Sequence, residues 1–132
     1  MKQVLLDTNV YSRGLAGDAW AGSILRQSEE LLICPIVLGE LLTGFRKGSR
    51  ESQNRLALTK FIASPRVTVL SISIETSEFY SAVLERLQKQ GTPIPTNDIW
   101  IAACAMEHGA HLATTDSHFK HVAGLLAVFP ET

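Results

Sequence analysis

Gln3-Val4-Leu5-Leu6-Asp7-Thr8-Asn9 is the stretch that decides how this chain folds. Four residues make a short apolar strand, and an acid ends it. Asp7 then caps a helical turn over Thr8 to Leu15, because its carboxylate can accept from N–H groups that a helix start leaves unpaired. A strand that passes straight into a helix opens a β-α-β unit, and the same pattern recurs downstream. Asp18 caps a second helix through Gln27. Leu31 to Cys34 reads as a strand, and Pro35 suits the first position of the helix that follows. That helix turns Ile36, Val37, Leu41, Leu42 and Phe45 inward and stops near Gly48. Ser49 opens another, with Leu56, Phe61 and Ile62 on one face. Val67 to Ile72 is β-branched and partly alternating, so it reads as a third strand. Thr76 to Gln90 is an amphipathic helix, with Phe79, Val83 and Leu87 at i, i+4 and i+8. Thr96 caps an apolar helix from Asp98 to Glu107, stopped by Gly109. His111 to Thr114 and Leu125 to Phe129 complete the strands. Strands that alternate with helices predict an α/β three-layer sandwich, with a short-stranded, mainly parallel central sheet flanked by helices. Short apolar strands fit a sheet covered on both faces. The whole of 1–132 reads as a single domain.

Composition narrows the function. At 132 residues with 45% hydrophobic content, the chain can bury a sizeable core. A net charge of −1 excludes a globally basic nucleic-acid binder but leaves room for a local basic patch. Cys34 and Cys104 lie in apolar runs without metal-ligand spacing, as reduced core residues of a cytoplasmic protein do. Asp7 interrupts the apolar stretch near the N-terminus, against a secretory signal. The longest apolar run, Ile99 to Met106, is too short to span a bilayer.

The acids carry the chemistry. The chain has four aspartates, and three sit where a parallel sheet would gather them: Asp7 after the first strand, Asp98 in the first turn of its helix, Asp116 after the fourth strand. In such a sheet, strand C-termini and helix N-termini share one edge, where ligands bind. Glu40, in Val37-Leu38-Gly39-Glu40-Leu41-Leu42, starts from that edge too. Gly39 beside it leaves room for close approach, or serves packing alone. Each aspartate taken singly is equally readable as a cap or turn residue. A glutamate on an apolar helix face is not. Four carboxylates together repel unless protonated or metal-bound. Helix N-termini supply only about 0.3–1 kcal/mol each toward holding them. A hard divalent cation such as Mg²⁺ or Mn²⁺ is the natural solution.

These residues resemble the PIN domain family, in particular the VapC-type toxins of bacterial toxin–antitoxin pairs. Asp7-Thr8-Asn9 is similar to the family's opening D-T-N. Glu40 matches its glutamate, Asp98 in Pro95-Thr96-Asn97-Asp98-Ile99-Trp100 its third acid, and Thr114-Thr115-Asp116-Ser117-His118-Phe119 its closing T-x-D-x-x-F. The order and spacing match over essentially the whole chain. The resemblance implies a Mg²⁺- or Mn²⁺-dependent endoribonuclease that is a homodimer and is inhibited by a cognate VapB-type antitoxin. It implies Asp7, Glu40, Asp98 and Asp116 as catalytic metal ligands, with Thr8, Asn9 and Thr114 as groups that orient them.

Other residues carry weaker signals. Arg46, Lys47, Arg50 and Arg55 form the densest basic stretch, and Arg13 lies on the first helix. They can hold RNA phosphates or be an ordinary solvated surface. The four histidines read as exposed loop residues, His118 and His121 included, since their spacing matches no zinc pattern. Trp100 reads as core or dimer interface. Two other readings remain. One is a catalytically silent PIN-fold binding module acting through its partner, which the complete acid set argues against. The other is an aspartate-based phosphotransfer domain, which needs paired acids after the first strand and a lysine after a late one. Neither is present at the corresponding positions.

Overall fold

The computed structural model describes residues 1–131. Five strands build one sheet: β1 (Gln3–Leu6), β2 (Glu30–Ile33), β3 (Val67–Val69), β4 (His111–Ala113) and β5 (Ala127–Val128). Their order is β3-β2-β1-β4-β5, and every neighbouring pair is parallel. Parallel neighbours need crossovers, and six α-helices supply them. These are α1 (Thr8–Leu15), α2 (Ala19–Gln27), α3 (Pro35–Lys47), α4 (Glu51–Ile62), α5 (Ile74–Gln90) and α6 (Thr96–Glu107), followed by a 3₁₀ turn over Ser117–His121. β1 lies at the centre and is buried on both faces. Leu5 packs into one core with Leu32, Ile101 and Leu112, while Val4 and Leu6 pack into a second with Val10, Ile24 and Ala113. Leu6 pairs with Ala113, which sets the ends of β1 and β4 side by side. That register decides where the acids fall.

The expected fold class is the observed one, with corrections in detail. β2 runs from Glu30 to Ile33, and Cys34 becomes the residue before α3 rather than the last of the strand. β3 ends at Val69, short of Ile72. It is the sheet edge, and Thr68 and Val69 are exposed, so nothing prolongs the pairing beyond the Leu70 N–H, which still donates to the Ile33 carbonyl at 2.9 Å. β4 ends at Ala113 and β5 spans only Ala127–Val128. On α4, Leu56 faces solvent at 57% exposure and Leu58 turns inward instead. Thr96 is the first residue of α6 and makes no capping bond; Pro95 precedes the helix.

α5 starts two residues earlier than its apolar spacing suggests, because its start is set by caps. The Ser73 hydroxyl accepts from the Thr76 N–H, and the Thr76 hydroxyl accepts from the Ser73 N–H. Thr76 also donates to Glu107 of α6 at 2.6 Å, which ties the two helices together. Gly91 ends α5 in the left-handed region at φ 70°, where a side chain would be strained. Ser73→Ala is therefore expected to cost about 1 kcal/mol in urea unfolding. Thr96→Ala should cost no more than a few tenths. Equal losses in the two variants would count against this assignment of caps.

A candidate active site at the C-terminal edge of the sheet

Asp7 leaves β1 and is nearly buried, at 5% exposure. One carboxylate oxygen accepts from the Thr8 N–H at 2.8 Å, which starts α1. The other accepts from the Thr114 hydroxyl at 2.6 Å. Thr114 is fully buried just past β4, and its hydroxyl also accepts from the Asp116 N–H at 3.0 Å. One threonine thus aligns an acid from each of two adjacent strands, a direct consequence of the Leu6–Ala113 register.

Asp98 is the third residue of α6, and its carboxylate is largely buried. It meets Asp116 through His118, whose Nδ1 lies 3.1 Å from Asp98 Oδ2 and 3.1 Å from Asp116 Oδ1. The His118 N–H also donates to Asp116 Oδ1 at 2.9 Å. Donor atoms of Asp98, Asp116 and His118 lie within 4.8 Å of one another. Glu40 projects from α3, where Thr8 donates to Oε1 at 2.6 Å and Asn97 donates to Oε2 at 3.3 Å. Thr8 follows Asp7 and Asn97 precedes Asp98, so Glu40 is held by the neighbours of two other acids.

The electrostatics follow from crowding. Burial pushes the Asp7 carboxyl above its usual range. The Thr114 and Thr8 hydrogen bonds oppose that, while the charges of Glu40 and Asp116 add to it. Asp98 is pushed up to about 6, chiefly by burial and also by Asp116 and Asp7, against the hydrogen bond from His118. Two acids held reluctant to ionise, at a sheet edge with two more, form an arrangement that a divalent cation would relieve.

All four predicted acids therefore reach one edge. Thr8 and Thr114 touch them directly. Asn9 is exposed on α1 and makes no side-chain hydrogen bond to the acids among the described residues; the asparagine that bonds an acid is Asn97, to Glu40. A Cβ at Gly39 would meet nothing within 4 Å, so no protein contact requires the glycine. It borders a groove of about 570 Å³ lined by Gly39, Glu40, Thr43, Gly44, Lys47 and Asn97, among others. Lys47 shares that groove, about 10 Å along α3 from Glu40. Arg46 and Arg50 are exposed beyond it, and Arg13 is exposed in the last turn of α1. Trp100 stacks on Tyr80, with ring centroids 4.2 Å apart, and so joins α6 to α5. His118 is exposed on the turn after β4, as expected, yet its ring reaches two of the acids. Among the described residues it is the basic side chain within ion-pair distance of Asp98 and Asp116. The T-x-D spacing followed by a tight turn was the available signal, because a 3₁₀ turn folds residue i+2 back over the acid.

A five-stranded parallel α/β sandwich with an acidic C-terminal edge defines the class to which this chain belongs. The PIN domain family model matches residues 4–125, and the chain is a member of that family. It is similar to Ribonuclease VapC2 of Rickettsia felis, at 29% identity covering 92% of this chain and 93% of that protein. It is also similar to Ribonuclease VapC1 of the same organism, at 38% identity covering 70% and 71%. Among solved structures, VapBC2 from Rickettsia felis bound to a DNA fragment from the promoter superimposes with a TM-score of 0.83, at 25% identity over 96% of this chain and 98% of that one. VapBC-1 from nontypeable Haemophilus influenzae gives 0.81, at 26% identity over 96% and 97%. No helix among the described residues is long and apolar enough to cross a membrane.

Proposed function

We propose that this chain is a single-domain, Mg²⁺- or Mn²⁺-dependent endoribonuclease, the toxin of a VapBC-type toxin–antitoxin module, acting in the cytoplasm. The observation that carries the reading is the meeting of Asp7, Glu40, Asp98 and Asp116 at one sheet edge, with Asp98 pushed up to about 6. A set made mainly of carboxylate oxygens suits hard cations that keep part of their water. Such an ion, when bound, would help ionise an attacking water and offset charge on the leaving oxygen of a phosphodiester.

The chain's own groups do the positioning. Thr114 fixes Asp7 and the loop of Asp116, while Thr8 and Asn97 fix Glu40. Hydrogen bonds of this kind keep acids aimed at a common point and hold them ionised. Lys47 lies where an RNA phosphate next to the cut could meet it. Arg13, Arg46 and Arg50 would contact the strand only farther out. The VapBC complexes to which the chain is similar support a VapB-type antitoxin as partner. A homodimer is the working form in this proposal.

Inducible expression in a bacterial host, wild type against Asp7→Asn, tests this reading. Growth arrest and new RNA 5′ ends should appear with the wild type and vanish with the variant. Purified wild type should cut the same RNA with Mg²⁺ or Mn²⁺ and stop when EDTA is added. Cleavage that survives EDTA would overturn the metal role, and RNA left intact in the arrested cells would overturn the nuclease.

A further inference from the structure

We infer that His118 belongs to the metal site and sets its ion preference, with Nδ1 supplying a nitrogen ligand that favours a first-row transition cation such as Mn²⁺ over Mg²⁺. The inference rests on the metal-site reading above. Its ground is the placement of one ring atom. Nδ1 stands 3.1 Å from an oxygen of Asp98 and 3.1 Å from an oxygen of Asp116, two acids 18 residues apart in sequence on different elements. Adjacent ligands of an octahedral ion bound at about 2.1 Å lie about 3.0 Å apart. The separation of the ring nitrogen from each carboxylate oxygen is therefore already that of neighbouring corners of such a site, and all three ligand atoms lie within 4.8 Å of one another.

The ring is also held there. The backbone N–H of His118 is bonded to Asp116, and Phe119, the next residue, is buried at 1% exposure. The imidazole is thus carried on an anchored turn, while its side chain keeps 46% of its surface open for ring movement. A purely counter-ionic histidine would sit against the same oxygens, but with a different consequence. It would compete with every divalent ion alike, and its removal would strengthen the binding of both. A nitrogen ligand discriminates instead. Mg²⁺ keeps oxygen ligands and water; Mn²⁺ also favours oxygen but, as the first member of the transition series, takes one imidazole among carboxylates more readily than Mg²⁺ does.

The test uses the full chain stripped of metal, titrated calorimetrically with MnCl₂ and with MgCl₂. His118→Ala should weaken Mn²⁺ binding by about tenfold or more and Mg²⁺ binding by less than about threefold. Electron spin-echo modulation from ¹⁴N should be seen on Mn²⁺ bound to the wild type and be absent from the variant. His118→Asn, which can present an oxygen near the same place, should restore affinity without the ¹⁴N signal or the Mn²⁺ preference. Equal losses for the two ions, tighter binding of both, or a wild type without ¹⁴N modulation would each overturn the inference. A wild type that binds neither ion would overturn the metal-site reading itself, and this inference with it.

Discussion

Asp98→Asn is expected to lower metal-dependent RNA cleavage by more than about 100-fold while raising the melting temperature of the metal-free protein. The activity loss exceeds the 10–100-fold typical of groups that merely orient a ligand, because Asp98 would be a ligand itself. The stability gain comes from the same carboxylate. With its ordinary value of 3.8 pushed up to about 6, ionised Asp98 costs the fold up to about 3 kcal/mol near neutral pH. An amide of the same size removes the charge, and its side chain can still meet His118. The opposing effect is the loss of a negative charge in the first turn of α6, about 0.3–1 kcal/mol. Relief of repulsion is the larger quantity, so several degrees of stabilisation are expected in EDTA. The sign is pH-dependent. A folded-state value above the unfolded one gives stability that is complete below about pH 4 and is lost as pH rises through about 6. The two proteins should therefore melt alike below about pH 4, separate as pH rises from about 4 to 6, and stay apart by a constant margin above that. Added Mn²⁺ should stabilise the wild type and leave the variant nearly unmoved. A variant that melts lower at pH 8 would show that Asp98 is there for the helix.

Much of this was readable from residue order. The changes of element fall at residues whose chemistry forces them: Asp7 carries β1 into α1, Asp18 starts α2 after α1 by accepting from Ala21, and Pro35 carries β2 into α3. The parallel sheet follows from the alternation, and the shared edge follows from the parallel sheet. What was not readable depends on contacts distant in sequence. α5 starts where Ser73 and Thr76 cap each other, and a period-based reading looks past such polar bonds. β3 stops early because the edge offers no further partner, a fact about strand order rather than composition. Leu56 and Leu58 lie two residues apart, about 200° around the helix, so only one of them can face the core, and which one depends on how α4 is rotated against the sheet. Glu40 looked unexplained along its own helix; its partners, Thr8 and Asn97, come from 32 and 57 residues away. His118 was passed over for the same reason, since its second acid lies 20 residues upstream.

Thr114→Val tests whether the hydroxyl shared by two acids is what the site is built around. Valine keeps the shape of the side chain but offers Asp7 no donor and the Asp116 N–H no acceptor. A hydrogen bond to a charged group is worth about 1.5–3 kcal/mol, and a buried N–H left unpaired costs about 1–3 kcal/mol. The expected loss of stability, about 2.5–6 kcal/mol, is a large share of what a domain of this size commands. It should not be constant with pH. Burial already raises the Asp7 carboxyl, and the Thr114 bond is the foremost influence holding it down. Without that bond the carboxyl rises further. A raised folded-state value means stability present in acid and lost as pH climbs through it. Urea midpoints measured in EDTA should therefore separate wild type from variant more at pH 8 than at pH 3, below the ordinary carboxyl range, where a protonated Asp7 no longer needs the donor. Activity should fall about 10–100-fold, with the acidic limb of the pH–rate profile moved upward. A destabilisation of the same size at both pH values would mean that Thr114 only fills space. A pH-dependent one would mean that it holds the charge on Asp7, and with it the aim of Asp116.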